Sequence, residues 1–158
     1  MKYCLDASTL IGMGERHYPE RVKVFLPIWK HLYGSIDNGD IISVDYVKIE
    51  LEERADEWRD NFLSRASKMF LISSDIEAEY AKIISEIEKS TVFKINKHRE
   101  RFMSGADPWV IALARHVGQC TVVSEERKGL TEYGLGPVCD VLGVKHMDLI
   151  HFIEANNI

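Results

Sequence analysis

The sequence predicts an α/β fold, with a parallel sheet of four or five strands between two helical layers. Three observations predict it. Short apolar runs alternate along the chain with segments of helical spacing, the pattern of strands joined by crossover helices. The runs are mostly apolar, as expected of strands covered by helices on both faces. A composition of 46% hydrophobic and 28% charged residues over 158 residues suffices for one core, so residues 1–158 are read as a single domain. It excludes a disordered chain, a collagen-like repeat and a disulfide-stapled miniprotein.

Taken in order, Tyr3–Leu5 is a first strand that stops at Asp6, with Ser8 or Thr9 placed to cap a following helix. Residues 22–36 carry helical spacing through Phe25, Ile28, Trp29 and Leu32, with Gly34 as the expected stop. Ile41–Val44 is a second β-branched strand. From Tyr46 to Ala66 the apolar positions Val47, Leu51, Ala55, Trp58 and Phe62 predict one long amphipathic helix. Met69–Ile72 is a third strand, and Ser74 or Asp75 caps a helix running to about Lys89. Residues 91–105 are mixed, basic and read as irregular. Asp107 as N-cap and Pro108 in the first turn open a further helix. Gln119–Val123 is a strong strand, residues 125–136 a loop, and VCDVLGV a short helix. Lys145–Met147 is an edge strand, and Asp148 caps the last helix.

Several function classes are disfavoured. Twenty Lys and Arg against 25 Asp and Glu leave a formal charge of −5, the wrong sign for a protein that simply coats nucleic acid. Cys4, Cys120 and Cys139 form no CxxC pair and suggest neither a zinc ribbon nor a disulfide framework; Cys4 and Cys120 read as buried thiols. His146 and His151 match helical zinc spacing poorly, and His17, His31 and His116 are isolated. No GxSxG occurs, and Gly12–Gly14 lacks the third glycine of a dinucleotide loop. Trp29, Trp58 and Trp109 sit at apolar helical positions and read as core or dimer-interface residues. With no apolar stretch long enough to span a bilayer and no signal peptide, a cytoplasmic protein without membrane contact is expected.

Right-handed crossovers bring the C-terminal ends of all parallel strands to one edge, where ligand chemistry collects. Asp6 follows the first strand, Glu50 lies one turn into the helix after the second, and Glu125 and Glu126 follow the strand ending in Ser124. Asp107 opens the preceding helix. A cluster of Asp6, Glu50, Asp107 and one of Glu125 or Glu126 would raise its members' pKa values by mutual repulsion. Oxygen ligands without His or Cys select Mg²⁺ or Mn²⁺, an ion suited to phosphodiester hydrolysis. Each acid also has a plainer role: Asp107 as a helix cap, Asp6 as a turn residue, Glu50 on a charged helix surface and Glu125–Glu126 in a surface loop.

These residues resemble the motifs of the PIN-domain nucleases, which include the VapC-type toxins of bacterial toxin–antitoxin pairs. The matching stretches are YCLDASTLI around Asp6, ISVDYVKIELEE around Glu50, GADPWVIALAR around Asp107 and VVSEE, which selects Glu126 over Glu125. The closing GLGPVCDVLGVKHMDLIHFI is similar to the end of a PIN-like bacterial branch. The resemblance implies a PIN-like three-layer α/β/α sandwich and Mg²⁺- or Mn²⁺-dependent cleavage of single-stranded RNA. It further implies a homodimer and a cognate antitoxin. Catalytic and metal-binding residues would be Asp6, Glu50, Asp107 and Glu126, with Ser8 and Glu125 supporting. Glu126 stands where Asp is common in the family. Ser8 matches the family's small polar position, with helix capping as its other role.

An acidic chain must attract phosphate locally. Lys89, Lys94, Lys97, His98, Arg99 and Arg101 crowd the segment before Asp107, and Arg127 and Lys128 follow Glu126. Phe93 and Phe102 read as apolar anchors of that segment. Two rivals remain: a PIN-like module that binds RNA or a partner without cleaving, and an aspartyl-phosphate phosphotransfer or phosphatase domain using Asp6 as nucleophile.

Overall fold

A computed structural model describes residues 1–54, 56–125 and 134–158. The chain alternates strand and helix as the apolar pattern requires. β1 (Lys2–Leu5) leads into α1 (Ala7–Ile11), which continues as a π-helical turn over Gly12–His17. α2 (Leu26–Asp37) precedes β2 (Ile41–Val44), followed by α3 (Asp45–Glu52) and α4 (Glu57–Arg65). β3 (Phe70–Leu71) and α5 (Glu77–Lys89) come next, then α6 (Asn96–Ser104) and α7 (Asp107–Val117). β4 (Cys120–Val123), α8 (Leu135–Leu142), β5 (His146–Met147) and α9 (Leu149–Ala155) complete the chain.

The strands form one parallel sheet in the order β3-β2-β1-β4-β5. Helices cover both faces, so the fold is the expected three-layer α/β/α sandwich. The chain fills one side of β1 with β2 and β3, then crosses to build β4 and β5 on the other. That reversal puts the topological switch point at the C-terminal ends of β1 and β4, the usual ligand position in open parallel sheets. Successive side chains of β1 serve opposite layers: the Tyr3 ring meets Phe152 of α9 edge-on at 5.0 Å, while the Cys4 thiol points to the Val110 carbonyl of α7. β1, β2 and β4 contribute buried apolar side chains to the core, as their mostly apolar runs predict.

Four local expectations are corrected. The long helix predicted over 46–66 is two helices, because Asp56 leaves helical geometry and accepts the Arg59 N–H at 2.8 Å as a new N-cap. Gly34 does not stop its helix, which runs on to Asp37 before Gly39 turns with φ of 74°. Residues 96–104, read as irregular, are helical and anchored by buried Phe102, which packs on Phe93 at 5.3 Å. Asp107 is the first residue of α7, with Ala106 in the cap position. No helix among the described residues is long and apolar enough to cross a membrane.

Candidate functional site

Asp6 sits where β1 ends and is buried, with 3% of its surface exposed. Its backbone N–H donates to Val123 O at 3.2 Å, so the main chain is pinned to β4 at the switch point. Oδ1 accepts the Thr9 N–H at 2.7 Å, so Asp6 itself caps α1, rather than Ser8 or Thr9. Oδ2 accepts the hydroxyls of Ser8 and Ser124, each at 2.7 Å. Ser124 reaches it from the end of β4, so the two strands flanking the switch point meet at one carboxylate oxygen. Thr9 secures the same junction by donating its hydroxyl to Val123 O at 2.8 Å, and buried Ser43 of β2 donates to Leu5 O at 2.6 Å. Burial raises the Asp6 pKa above the usual carboxylate range, against the pull of its hydrogen bonds from Thr9, Ser8 and Ser124.

Glu50 projects from α3 toward the start of α7, where Oε1 accepts the Ala106 N–H at 2.9 Å. Its pKa is raised by burial first, then by the negative charges of Asp6 and Glu53, with the Ala106 hydrogen bond opposing. Asp6 and Glu50 therefore share one electrostatic neighbourhood although 43 positions and a strand separate them. Asp107 follows Ala106 directly, at the α7 N-terminus that Glu50 contacts. Asp6, Glu50 and the start of α7 converge as the strand-end argument expects.

Glu125 follows Ser124 and donates its backbone N–H to Ser8 Oγ at 3.1 Å. Its side chain turns back to the π-helical turn, where Oε1 pairs with His17 Nε2. The other oxygen is buried, has no hydrogen-bond partner among the described residues, and occupies the space a Cβ at Gly12 would need, only 1.5 Å from it. A π-helical turn is uncommon and recurs beside functional sites; here it carries His17 to Glu125. Glu126, Arg127 and Lys128, the remaining acid and the second basic group, lie outside the described residues. Lys89, Lys94, Lys97, His98 and Arg101 are exposed along the end of α5 and α6, with Arg99 half-buried.

Among the described residues no group of three His, Cys, Asp or Glu side chains stands placed to hold a metal ion. The donors that do converge suit a hard divalent cation in kind. They are oxygens only, and Asp6 and Glu50 are both disfavoured as anions by burial, with Asp6 adding to the burden on Glu50.

The sequence did not expose two participants. Ser124 matched only as a hydroxyl before two acids; its bond to Asp6 depends on β1 pairing with β4, which separation along the chain hides. His17 read as isolated, because only the π-helical turn brings it to Glu125.

The fold and site together define an α/β domain with buried Asp6 and half-buried Glu50 beside its strand switch point. A family model described as a domain of unknown function (DUF4411) matches residues 3–158, and the chain belongs to that family. No curated protein matches it.

Proposed function

We propose that this protein is a metal-dependent endoribonuclease of the PIN-domain kind, hydrolysing phosphodiester bonds of single-stranded RNA. The observation that carries the reading is Asp6: a buried carboxylate at the switch point, tied to hydroxyls and an amide, and close enough to Glu50 for its negative charge to help raise the Glu50 pKa. Such a pair is costly as two anions unless a cation joins it. Asp6, Glu50, Asp107 and Glu126 are the residues that would hold Mg²⁺ or Mn²⁺. When bound, that ion activates water and neutralises charge developing on the phosphate. Ser8 and Ser124 orient the Asp6 carboxylate through its Oδ2, and the α1 cap fixes its other oxygen. The exposed cations of α6 hold the RNA backbone on the approach to α7.

In this reading the protein is the toxin of a toxin–antitoxin pair, acting as a homodimer in the cytoplasm with a cognate antitoxin. The PIN-like sequence motifs support that part. The test is a Mn²⁺ titration monitored by thermal unfolding, run beside cleavage of a mixed single-stranded RNA. Mn²⁺ is expected to raise the melting temperature of the native chain, and Asp6→Asn to remove both the rise and the cleavage. Ser124→Ala is expected to reduce cleavage by about 10- to 100-fold, the usual cost of losing a group that orients a ligand. A Mn²⁺-stabilised chain that cleaves no RNA would instead favour the non-cleaving module. Phosphate trapped on Asp6 after exposure to a small phosphodonor would favour the phosphotransfer domain.

A further inference from the structure

Three aromatic rings beside the acidic group form a continuous parallel stack. Tyr46 of α3 lies parallel to Trp109 of α7, with centroids 4.9 Å apart and planes 7° apart. Tyr80 of α5 stacks on the same indole at 3.7 Å and 14°. In the core, Tyr3 with Phe152 and Trp29 with Phe62 meet edge-on at 85° and 73°, while Trp58 stacks on Phe62 at 19°, the two arrangements that ring quadrupoles favour. A flat set of rings is the geometry on which a planar nucleobase stacks. Tyr46 is exposed, with Trp109 and Tyr80 half-buried behind it.

Its position ties it to the acidic site. Tyr46 and Glu50 are four residues apart on one helix, so their side chains lie on the same face one turn apart. Glu50 grips the Ala106 N–H, and Trp109 stands one turn into the helix that follows. α3 therefore meets α7 through an acid contact and a ring contact side by side. Exposed Lys97 and Arg101 lie on α6, the helix that immediately precedes α7, and offer positive charge to the phosphates of a bound nucleic acid.

We propose that the Tyr46–Trp109–Tyr80 stack is a nucleobase-binding platform, on which an unpaired base of single-stranded RNA lies against Tyr46 while the adjoining phosphate faces the Glu50 side of the site. The proposal rests on the ribonuclease reading for its occupant. It separates from that reading in what it requires: bases, rather than the metal ion.

The test measures dissociation constants by fluorescence anisotropy in EDTA, where cleavage cannot proceed. The probes are a mixed-sequence single-stranded RNA, an abasic oligonucleotide of equal length, and the RNA annealed to its complement. Tyr46→Ala and Tyr46→Leu are expected to weaken single-stranded RNA binding about tenfold and to leave the abasic oligonucleotide unchanged. Tyr46→Leu keeps apolar area against Trp109, so agreement of the two variants removes any local packing defect as the cause. Tyr46→Phe keeps a ring and is expected to bind as the native chain does. Equal losses on both single-stranded probes, unchanged RNA binding, or native binding of the duplex as tight as of the single strand would overturn the platform. Cleavage in Mn²⁺ distinguishes the two readings. A Tyr46→Ala variant that cleaves with an unaltered dissociation constant ends the platform and leaves the nuclease standing. A native chain that discriminates bases from abasic sites but never cleaves ends the nuclease and leaves the platform.

Discussion

Glu79 and Glu86, on the flank where α5 packs against α7, face the guanidinium of Arg115, whereas Asp6 and Glu50 face hydroxyls and backbone amides. Arg115 donates to Glu86 through two nitrogens at 2.9 and 2.5 Å and reaches Glu79 at 2.6 Å. Hydrogen bonds and charge from Arg115 and Lys82 lower the pKa of both acids, while burial raises those of Asp6 and Glu50. The π-helical turn follows the flank pattern: Glu15 and Asp56 converge on buried Arg59 at 2.7 and 3.1 Å. Among the described residues no basic side chain pairs with Asp6 or Glu50. On the α5–α7 flank and at Arg59 the chain supplies the acids' counter-charge; at Asp6 and Glu50 it supplies orientation and leaves charge to come from elsewhere.

The largest stability effect expected from breaking this contrast is at Arg59. Its side chain is 6% exposed, serves Glu15 and Asp56, and also donates to Leu51 O at 3.3 Å. Arg59→Met keeps the apolar stem but removes the counter-charge of Glu15 and Asp56 and one donor to the Leu51 carbonyl, while the Asp56 cap on the residue-59 N–H remains. A loss of about 2 kcal/mol is expected, typical of hydrogen bonds to charged groups, and seen as a lower urea midpoint at unchanged slope. A loss within error would mean the matched acids contribute no more than the unmatched ones.

Asp6→Asn is expected to act in the opposite direction on the metal-free chain. Asn still caps α1 well, and its amide has two hydroxyl partners in Ser8 and Ser124, while a buried charge disappears. The folded-state pKa of Asp6 is raised, so the folded chain holds that proton more tightly than the unfolded chain does. The cost of the charge is therefore complete above the folded pKa and is relieved as pH falls toward the ordinary carboxylate value near ~3.9. Asn should melt higher than the native chain at neutral pH, with the gap closing as pH falls through that window. A gap that is absent at neutral pH, or that widens on acidification, contradicts the reading of Asp6 as an unmatched anion.

The same contrast explains what the sequence made legible. Strand positions are legible because β1, β2 and β4 are short, mostly apolar runs, and the nearness of Asp6 to Glu50 follows from parallel strands ending on one edge. Asp56 was hidden because a charged residue in ELEERADEW fits a helix surface as well as a cap; only its extended backbone separates α3 from α4. α6 was hidden because its mostly charged and polar sequence shows no apolar stripe beyond Phe102 and Met103. The Glu125–His17 pair was out of reach, since it needs a π-helical turn and the absence of a side chain at Gly12. Tyr46 was within reach: its spacing of four from Glu50 is a helical neighbour relation. The predicted apolar stripe runs through Val47, Leu51, Ala55, Trp58 and Phe62 and leaves Tyr46 without a role.

The smallest effect should come from the flank, and it discriminates by its pH dependence. Arg115 is 27% exposed and Glu86 46%, so water and salt screen the pair, and Arg115→Ala is expected to cost only about 0.5 kcal/mol. Glu79 and Glu86 have lowered folded-state pKa values, so their contribution is present above the unfolded value near ~4.3 and is lost as pH falls through the folded ones. The native chain's advantage over Arg115→Ala should shrink on acidification, where that of Asp6→Asn over the native chain shrinks in the same direction for the opposite reason. In the first case protonation removes a favourable pairing; in the second it removes an unfavourable burial. Added salt separates them, weakening the Arg115 effect through screening while leaving the Asp6 effect, which lies beneath the surface, nearly unaltered. Equal salt sensitivity at the two sites would show that Asp6 titrates as a solvent-facing acid, and the distinction between matched and unmatched carboxylates would fail.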